Sequence, residues 1–316
     1  MPEPFRRHGT SMPAPAAATL PQTDGARGMA KVGHERGELI GHKGMRLRTG
    51  LWCPEGEPSA VVLLSHGYGE HLGRYAHVIE ALVGGGYAVA GLDHRGHGES
   101  AGRRTGVTRF DDYVEDLHLL VDRVCDRYLV LPRFMLGHSM GGLIATRYAL
   151  RHQADLAGLV LSGAALQIGD DVSPLLKRVG GLIAAVAPHL PVVPSRGPGI
   201  LSSDPEVERR FAADPLCYQG RLRARTGHQM MLASVDARTR AETLTLPLLV
   251  MHGADDTLTN PAGSQFLHDH AHSADKTLKL WPGLRHEIFN EPQRDDVIAF
   301  LLAWLDARVP RAARLT

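Results

Sequence analysis

The chain has 316 residues, 43% of them hydrophobic, with 35 Lys and Arg against 34 Asp and Glu and a formal net charge of +1. That length can bury a full core as one large α/β domain or two smaller ones, and the near-neutral balance gives no electrostatic case for binding nucleic acid. Cys53, Cys125 and Cys217 are odd in number, far apart and form no C-x-x-C pair, so neither a disulfide framework nor a zinc knuckle is supported and a reducing compartment is expected.

Residues 1–30, MPEPFRRHGTSMPAPAAATLPQTDGARGMA, are rich in Pro, Ala and Gly. They lack an apolar h-region and any hydrophobic periodicity, so they are expected to be a disordered extension and not a signal peptide. No stretch approaches the ~18 uninterrupted apolar residues of a membrane span. The expected location is cytoplasmic, with at most peripheral contact at a membrane.

From about residue 45 short strand-like runs alternate with helix-period segments. The runs are AVVLLSH (60–66), YAVAGLD (87–93), RFMLGHS (133–139), LAGLVLSG (156–163), LPLLVMHG (246–253) and KTLKLWPG (276–283). Helical periodicity occupies 74–86, 110–128, 143–152 and 293–308. Near-continuous apolar strands alternating with helices predict a mostly parallel sheet covered on both faces, whose chemistry collects at the carboxyl ends of the strands. Between about 166 and 230 the rhythm stops, and a short amphipathic segment mixes with proline-rich apolar loop. That interval is too long for an ordinary connection and predicts an inserted cap over the site. The folded domain is then expected over 31–316.

Residues 137–142 read GHSMGG, directly after the apolar FML. Glycines can simply punctuate a strand end while Ser139 caps the following helix. The same residues also fill a G-x-S-x-G elbow, where small residues let the backbone turn so sharply from strand to helix that the serine hydroxyl stands at the edge of the sheet. A serine used this way needs a base, because its hydroxyl is a poor nucleophile until imidazole takes its proton, and an acid to orient that base. In α/β-hydrolases these follow in the order Ser, Asp or Glu, His. The run 246–253 is followed by Asp255 and Asp256, and the run 276–283 by His286. An oxyanion hole needs two backbone N–H groups. One is expected from Met140, after the nucleophile, and the other from Tyr68, in the loop HGYGEH (66–71). His268, His270 and His272 could resemble metal ligands, but they sit on a charged helical stretch without matching carboxylate or Cys spacing and read as a solvated face.

With HGYGEHLGRY (66–75), LDHRGHGESAG (92–102), LGHSMGG (136–142), DPL (214–216), MHGADDTL (251–258) and WPGLRHEIFNEP (281–292) in hand, the chain resembles the monoacylglycerol lipase family, its bacterial members most closely. The runs span nearly all of the chain after residue 40, in the family's order. The resemblance implies an α/β-hydrolase fold with an inserted cap and esterase chemistry on single-chain acylglycerols. It chooses Asp256 over Asp255 as the acid, counting three residues from Gly253. It also implies that Glu70 and Arg74 hold the glycerol head and that the cap is mobile at a lipid interface. The apolar residues Leu182, Ile183, Val186 and Leu190, beside Lys177 and Arg178, are the ones expected to face lipid or the tunnel mouth. Where human-type members carry a second histidine three residues past the catalytic one, this chain has Phe289.

The expected activity is therefore hydrolysis of the monoacylglycerol ester through an acyl-enzyme, with no metal or cofactor and no obligate protein partner. A lysophospholipase or general carboxylesterase would use the same residues. A haloperoxidase-like or C–C hydrolase can share the fold, and a binding protein derived from it would usually have lost a triad member.

Overall fold

The computed structural model describes residues 33–169, 173–193 and 199–309; the N-terminal extension over 1–30 lies outside them. In chain order the strands are β1 (Gly33–Ile40), β2 (Arg46–Cys53), β3 (Ala60–Ser65), β4 (Tyr87–Leu92), β5 (Arg133–His138), β6 (Gly158–Ser162), β7 (Pro191–Val193), β8 (Leu222–Arg223), β9 (Leu248–Gly253) and β10 (Lys276–Trp281). The α-helices are α1 (Ala76–Gly84), α2 (Asp111–Arg127), α3 (Met140–His152), α4 (Pro174–Val186), α5 (Pro205–Ala213), α6 (Ala224–Thr239), α7 (Pro261–His270) and α8 (Arg294–Asp306).

Eight strands form one sheet in the order β1-β2-β4-β3-β5-β6-β9-β10. The pairs from β4 to β10 are parallel, while β2 runs antiparallel to both of its neighbours. Alternation along the buried strands divides the core into two layers. Val61, Leu63, Ala88, Ala90, Met135, Leu159, Leu161, Leu248 and Val250 meet α2 and α3, with α6 and α7 further along the same layer. Val62, Leu64, Tyr87, Val89, Phe134, Leu136, Val160, Leu249 and Met251 meet α1 and α8 on the other side. With both faces of the pleat covered, every second residue has no reason to be polar, and the strands read as unbroken apolar runs.

All six predicted strands are present, each within two residues of its predicted bounds. The hairpin β1–β2 is an addition. β1 is an edge strand whose sequence, GHERGELI, is almost wholly exposed, so it carries none of the apolar signal by which the other strands were found.

Register brings the strand ends level. Ser65 pairs with Gly137, His138 with Ser162, Ser162 with Met251, and Gly253 with Trp281. The loops after β3, β5, β6, β9 and β10 therefore leave the sheet at one edge. Between β6 and β9 the chain forms α4, the two-stranded ribbon β7–β8, and α5 before entering α6. The boundary expected at residue 230 falls inside α6, whose Met230, Ala233 and Ala237 are buried in the layer that includes α3.

Candidate active site

Ser139 lies between β5 and α3 with φ 54° and ψ −118°, in the left-handed half of backbone space that a residue with a Cβ rarely occupies. Its amide donates to Ser162 O at 3.0 Å, and its carbonyl accepts from Leu143 N and Ala165 N. The turn fits because a glycine follows two residues later: a Cβ at Gly141 would collide with the Ser65 and His66 carbonyl oxygens. This is the geometry of a nucleophile elbow.

The carboxylate of Asp256 sits in the loop after β9. Its Oδ2 accepts His286 Nδ1–H at 2.7 Å, Thr259 Oγ1–H at 2.7 Å and His252 Nε2–H at 3.0 Å. Its Oδ1 accepts the backbone amides of Leu258 at 2.7 Å and Thr259 at 2.9 Å. Burial alone would raise this carboxyl, but the facing histidines and their hydrogen bonds hold it well below the usual carboxylate range. Asp255, one residue earlier, is exposed, and its amide donates to Leu284 O.

His286 is buried, and the bond from Nδ1–H to Asp256 leaves Nε2 as its basic atom. Its ring lies 4.8 Å from that of His138, the residue immediately before Ser139. It also borders Gly163, where a Cβ would fall 3.4 Å from Nδ1. Asp256 and His286 are thus in direct contact, and the loops that carry them leave the same sheet edge as the turn at Ser139.

Met140 is the first residue of α3, one of the four positions whose N–H has no acceptor within its own helix. The loop holding Tyr68 lies against the elbow: a Cβ on Gly67 would stand 3.2 Å from Ser139 Cβ and 2.7 Å from Glu70 Oε1. Tyr68 packs edge-on between His97 and Tyr218.

Glu70 and Arg74, expected at the glycerol head, are bonded here to other groups of the protein. Glu70 is buried; its Oε1 accepts Gly67 N–H at 2.5 Å and Tyr75 O–H at 2.6 Å, and its Oε2 accepts from Arg74 at 2.9 Å. Arg74 also makes a two-pronged pair with Glu287, at 2.7 and 2.8 Å, and its guanidinium lies over the Phe211 ring at 4.9 Å. Both side chains are thus engaged with the protein itself, tying the loop that holds Tyr68 to Glu287. Phe289 is buried in the layer formed by α1 and α8.

The segment between β6 and β9 rests on two loops of the site. Glu291 Oε2 accepts from Ser202 and Ser203, while Glu287 N donates to Leu201 O at 2.7 Å, beside His286. Tyr218 N donates to Gly69 O at 2.8 Å, and His71 Nε2 meets Asp214 Oδ2 at 2.8 Å, on the oxyanion loop. On α4, Leu175, Val179, Leu182 and Val186 form a stripe with an exposed spacing of four, three and four residues. Leu190 is exposed as well, whereas Ile183 is half-buried and lies off the stripe.

Two groups among the described residues bring three possible metal-ligand atoms within 4.8 Å: His71, Asp214 and Cys217, and His118, His152 and Asp155. In the first the imidazole and carboxylate already bind each other next to the Arg74 cation, and the second lies on α2, α3 and the turn after α3. His268 contacts Asp269, His270 stacks on Phe266, and His272 is exposed beyond the end of α7. Sequence reasoning passed over His252, Thr259 and Glu287. The one available signal was a histidine in the otherwise apolar run LLVMHG.

Residues 56–293 match the family described as serine aminopeptidase, S33. A monoacylglycerol lipase of Mycolicibacterium smegmatis is 40% identical over 267 residues, covering 84% of this chain and 95% of the relative. The chain belongs to the monoacylglycerol lipase family. The human monoglyceride lipase is 34% identical over 254 residues, covering 80% of this chain and 84% of that protein. Among solved structures, the Paleococcus ferrophilus monoacylglycerol lipase superposes with a TM-score of 0.73 at 30% identity, covering 84% of this chain and 99% of that one. This family membership agrees with the sheet order and with the α/β-hydrolase fold expected from the sequence. No helix among the described residues is long and apolar enough to cross a membrane.

Proposed function

We propose that this chain hydrolyses monoacylglycerols to glycerol and free fatty acid, with Ser139 as nucleophile, His286 as general base and acid, and Asp256 as the orienting carboxylate. The observation that carries the reading is the 2.7 Å bond from His286 Nδ1–H to an Asp256 carboxylate fixed by five donors, beside the elbow serine. The bond sets the tautomer that leaves Nε2 free to take the Ser139 proton. The alkoxide attacks the ester carbonyl, and the oxygen that becomes negative is stabilised by the Tyr68 and Met140 amides. His286 returns its proton to the departing glycerol oxygen, and water then repeats the sequence to release the fatty acid.

The family description names an aminopeptidase, yet the site favours an ester. An aminopeptidase needs an accessible carboxylate to receive the substrate ammonium, and the two acids behind the oxyanion loop, Glu70 and Glu287, are buried, with their oxygens taken by Arg74 and other donors of the protein itself. Glu70 and Arg74 act in this reading as braces of the oxyanion loop and not as the glycerol site. The segment from 166 to the start of α6 acts as the cap, and the exposed stripe of α4, with Arg178 beside it, makes the transient contact with lipid.

A fluorophosphonate probe tests the chemistry: wild type should label covalently at Ser139 and the Ser139→Ala variant should not. Initial rates on mono-, di- and triacylglycerol and lysophosphatidylcholine with one common acyl chain test the substrate. Fastest turnover of lysophosphatidylcholine would replace the monoacylglycerol assignment with a lysophospholipase.

A further inference from the structure

Resting on the serine-hydrolase reading, we propose that His252 is a positioning residue for the reaction: it donates Nε2–H to the same Asp256 oxygen that orients His286, and so sets how firmly that carboxylate holds the imidazolium formed during catalysis.

His252 is the penultimate residue of β9 and is completely enclosed. Its Nε2 lies 3.0 Å from Asp256 Oδ2 and 3.2 Å from Thr259 O. A carboxylate that is ionised and a backbone carbonyl can only accept, so Nε2 carries the proton. Nδ1 is then the lone pair, and Ser264 Oγ, 2.7 Å away in the first turn of α7, supplies the hydrogen. Ser264, His252 and Asp256 form a buried chain that ends on the same carboxylate oxygen that accepts from His286.

The two histidines compete for one oxygen. Each donor withdraws negative charge from Oδ2, and a carboxylate with fewer donors attracts a facing imidazolium more strongly. Without His252, Asp256 would stabilise protonated His286 more, so the base would be blocked by protons at a higher pH. His252 thus keeps His286 available toward lower pH while fixing the carboxylate plane. The other groups facing His286 do not supply this effect. His138, at the end of β5, is pushed down to about 4 by burial and the neighbouring His286, and is uncharged across the assay range. Glu70 and Glu287 share the single cation of Arg74, and the one net negative charge they leave is the same in wild type and in every His252 or Ser264 variant.

The test compares wild type, His252→Leu, His252→Gln and Ser264→Ala, reading the pH dependence of fluorophosphonate labelling and of kcat/KM on p-nitrophenyl butyrate. His252→Leu should move the acid limb upward by about half to one pH unit, the scale of one lost hydrogen bond to a charged group, and lower the plateau by about tenfold. His252→Gln, whose amide N–H₂ can reach the position of Nε2, should return the midpoint toward wild type. Ser264→Ala removes the hydrogen on Nδ1 and should give a smaller shift in the same direction; it also serves if the leucine variant does not fold. A folded His252→Leu with a lower plateau but an unmoved midpoint, or an unmoved midpoint in Ser264→Ala, overturns the proposal. Labelling that survives Ser139→Ala or His286→Ala would instead overturn the serine-hydrolase reading beneath it.

Discussion

The carboxylate of Glu70 accepts the backbone N–H of Gly67 at 2.5 Å, one residue before Tyr68, whose amide is proposed for the oxyanion hole. A side chain read from the sequence as a head-group contact is in this way tied to the loop that, in the proposed mechanism, every ester substrate would use. Glu70→Ala should therefore lower kcat by about a hundredfold, as losing one oxyanion donor does, and should do so equally on a monoacylglycerol and on a p-nitrophenyl ester of the same acyl chain. Steady-state rates on the two substrates check it; loss on the monoacylglycerol alone would restore the head-group role.

The two adjacent acids should separate cleanly. Asp256→Asn places an amide against His286 and four other donors, disturbing the base's tautomer, and should reduce kcat by about 10⁴. Asp255→Asn alters an exposed side chain and should stay within about twofold of wild type. Turnover of a soluble ester by the two purified variants checks the ranking, and its reversal would move the acid one residue upstream.

Acid stability should carry the signature of Glu70. Burial would push its carboxyl up, but the Arg74 guanidinium, with His138, His66 and the Tyr75 hydroxyl, brings it down to about 2 from 4.5. Its folded value lies below its unfolded one, so the unfolded chain binds more protons in this window. The stabilisation is complete above about pH 4.5 and is lost as pH falls toward 2. Thermal melts should show the wild-type Tm declining through that interval. Glu70→Gln should start lower at neutral pH and decline less, since Arg74 keeps its pair with Glu287.

The exposed stripe of α4 should matter for aggregated substrates only. Leu182 is 66% exposed and Val186 79%. Replacing both with serine removes apolar surface that is mostly turned to solvent, so the fold should persist while vesicle binding and long-chain turnover fall. Vesicle co-sedimentation, run beside an assay on a short soluble ester, checks this. Equal loss in both assays would mean that α4 supports the fold instead.

The strands, and the places of the three residues proposed as the triad, were legible because each has a local signature. Buried parallel strands are apolar throughout, the elbow requires glycines at fixed spacing, and His286 and Asp256 stand directly after strands that the pattern reveals. Glu70 and Arg74 were legible as a pair, and their 2.9 Å contact is present, but the second acid that shares Arg74 was not. The decisive partner, Glu287, is 213 residues from Arg74 in the chain, and no periodicity reports a contact made across the sheet edge. His252 was hidden for the opposite reason: it lies within a strand, where a lone histidine looks like an ordinary interruption. β1 escaped because an exposed edge strand needs no apolar residues.

The φ of 54° at Ser139 has a thermodynamic corollary. A residue with a Cβ held there costs of order 1–3 kcal/mol, which the three strands and the helix around the turn must offset at all times, whether or not substrate is present. Glycine takes that conformation freely, although it surrenders about 0.5–1 kcal/mol through the extra freedom of the unfolded chain. Ser139→Gly should consequently melt at a higher temperature than the active protein while turning over nothing. Reactivity at this position is then maintained by selection against the chain's own preference, and populations freed from the need to hydrolyse esters should drift toward glycine at residue 139 before the rest of the site decays.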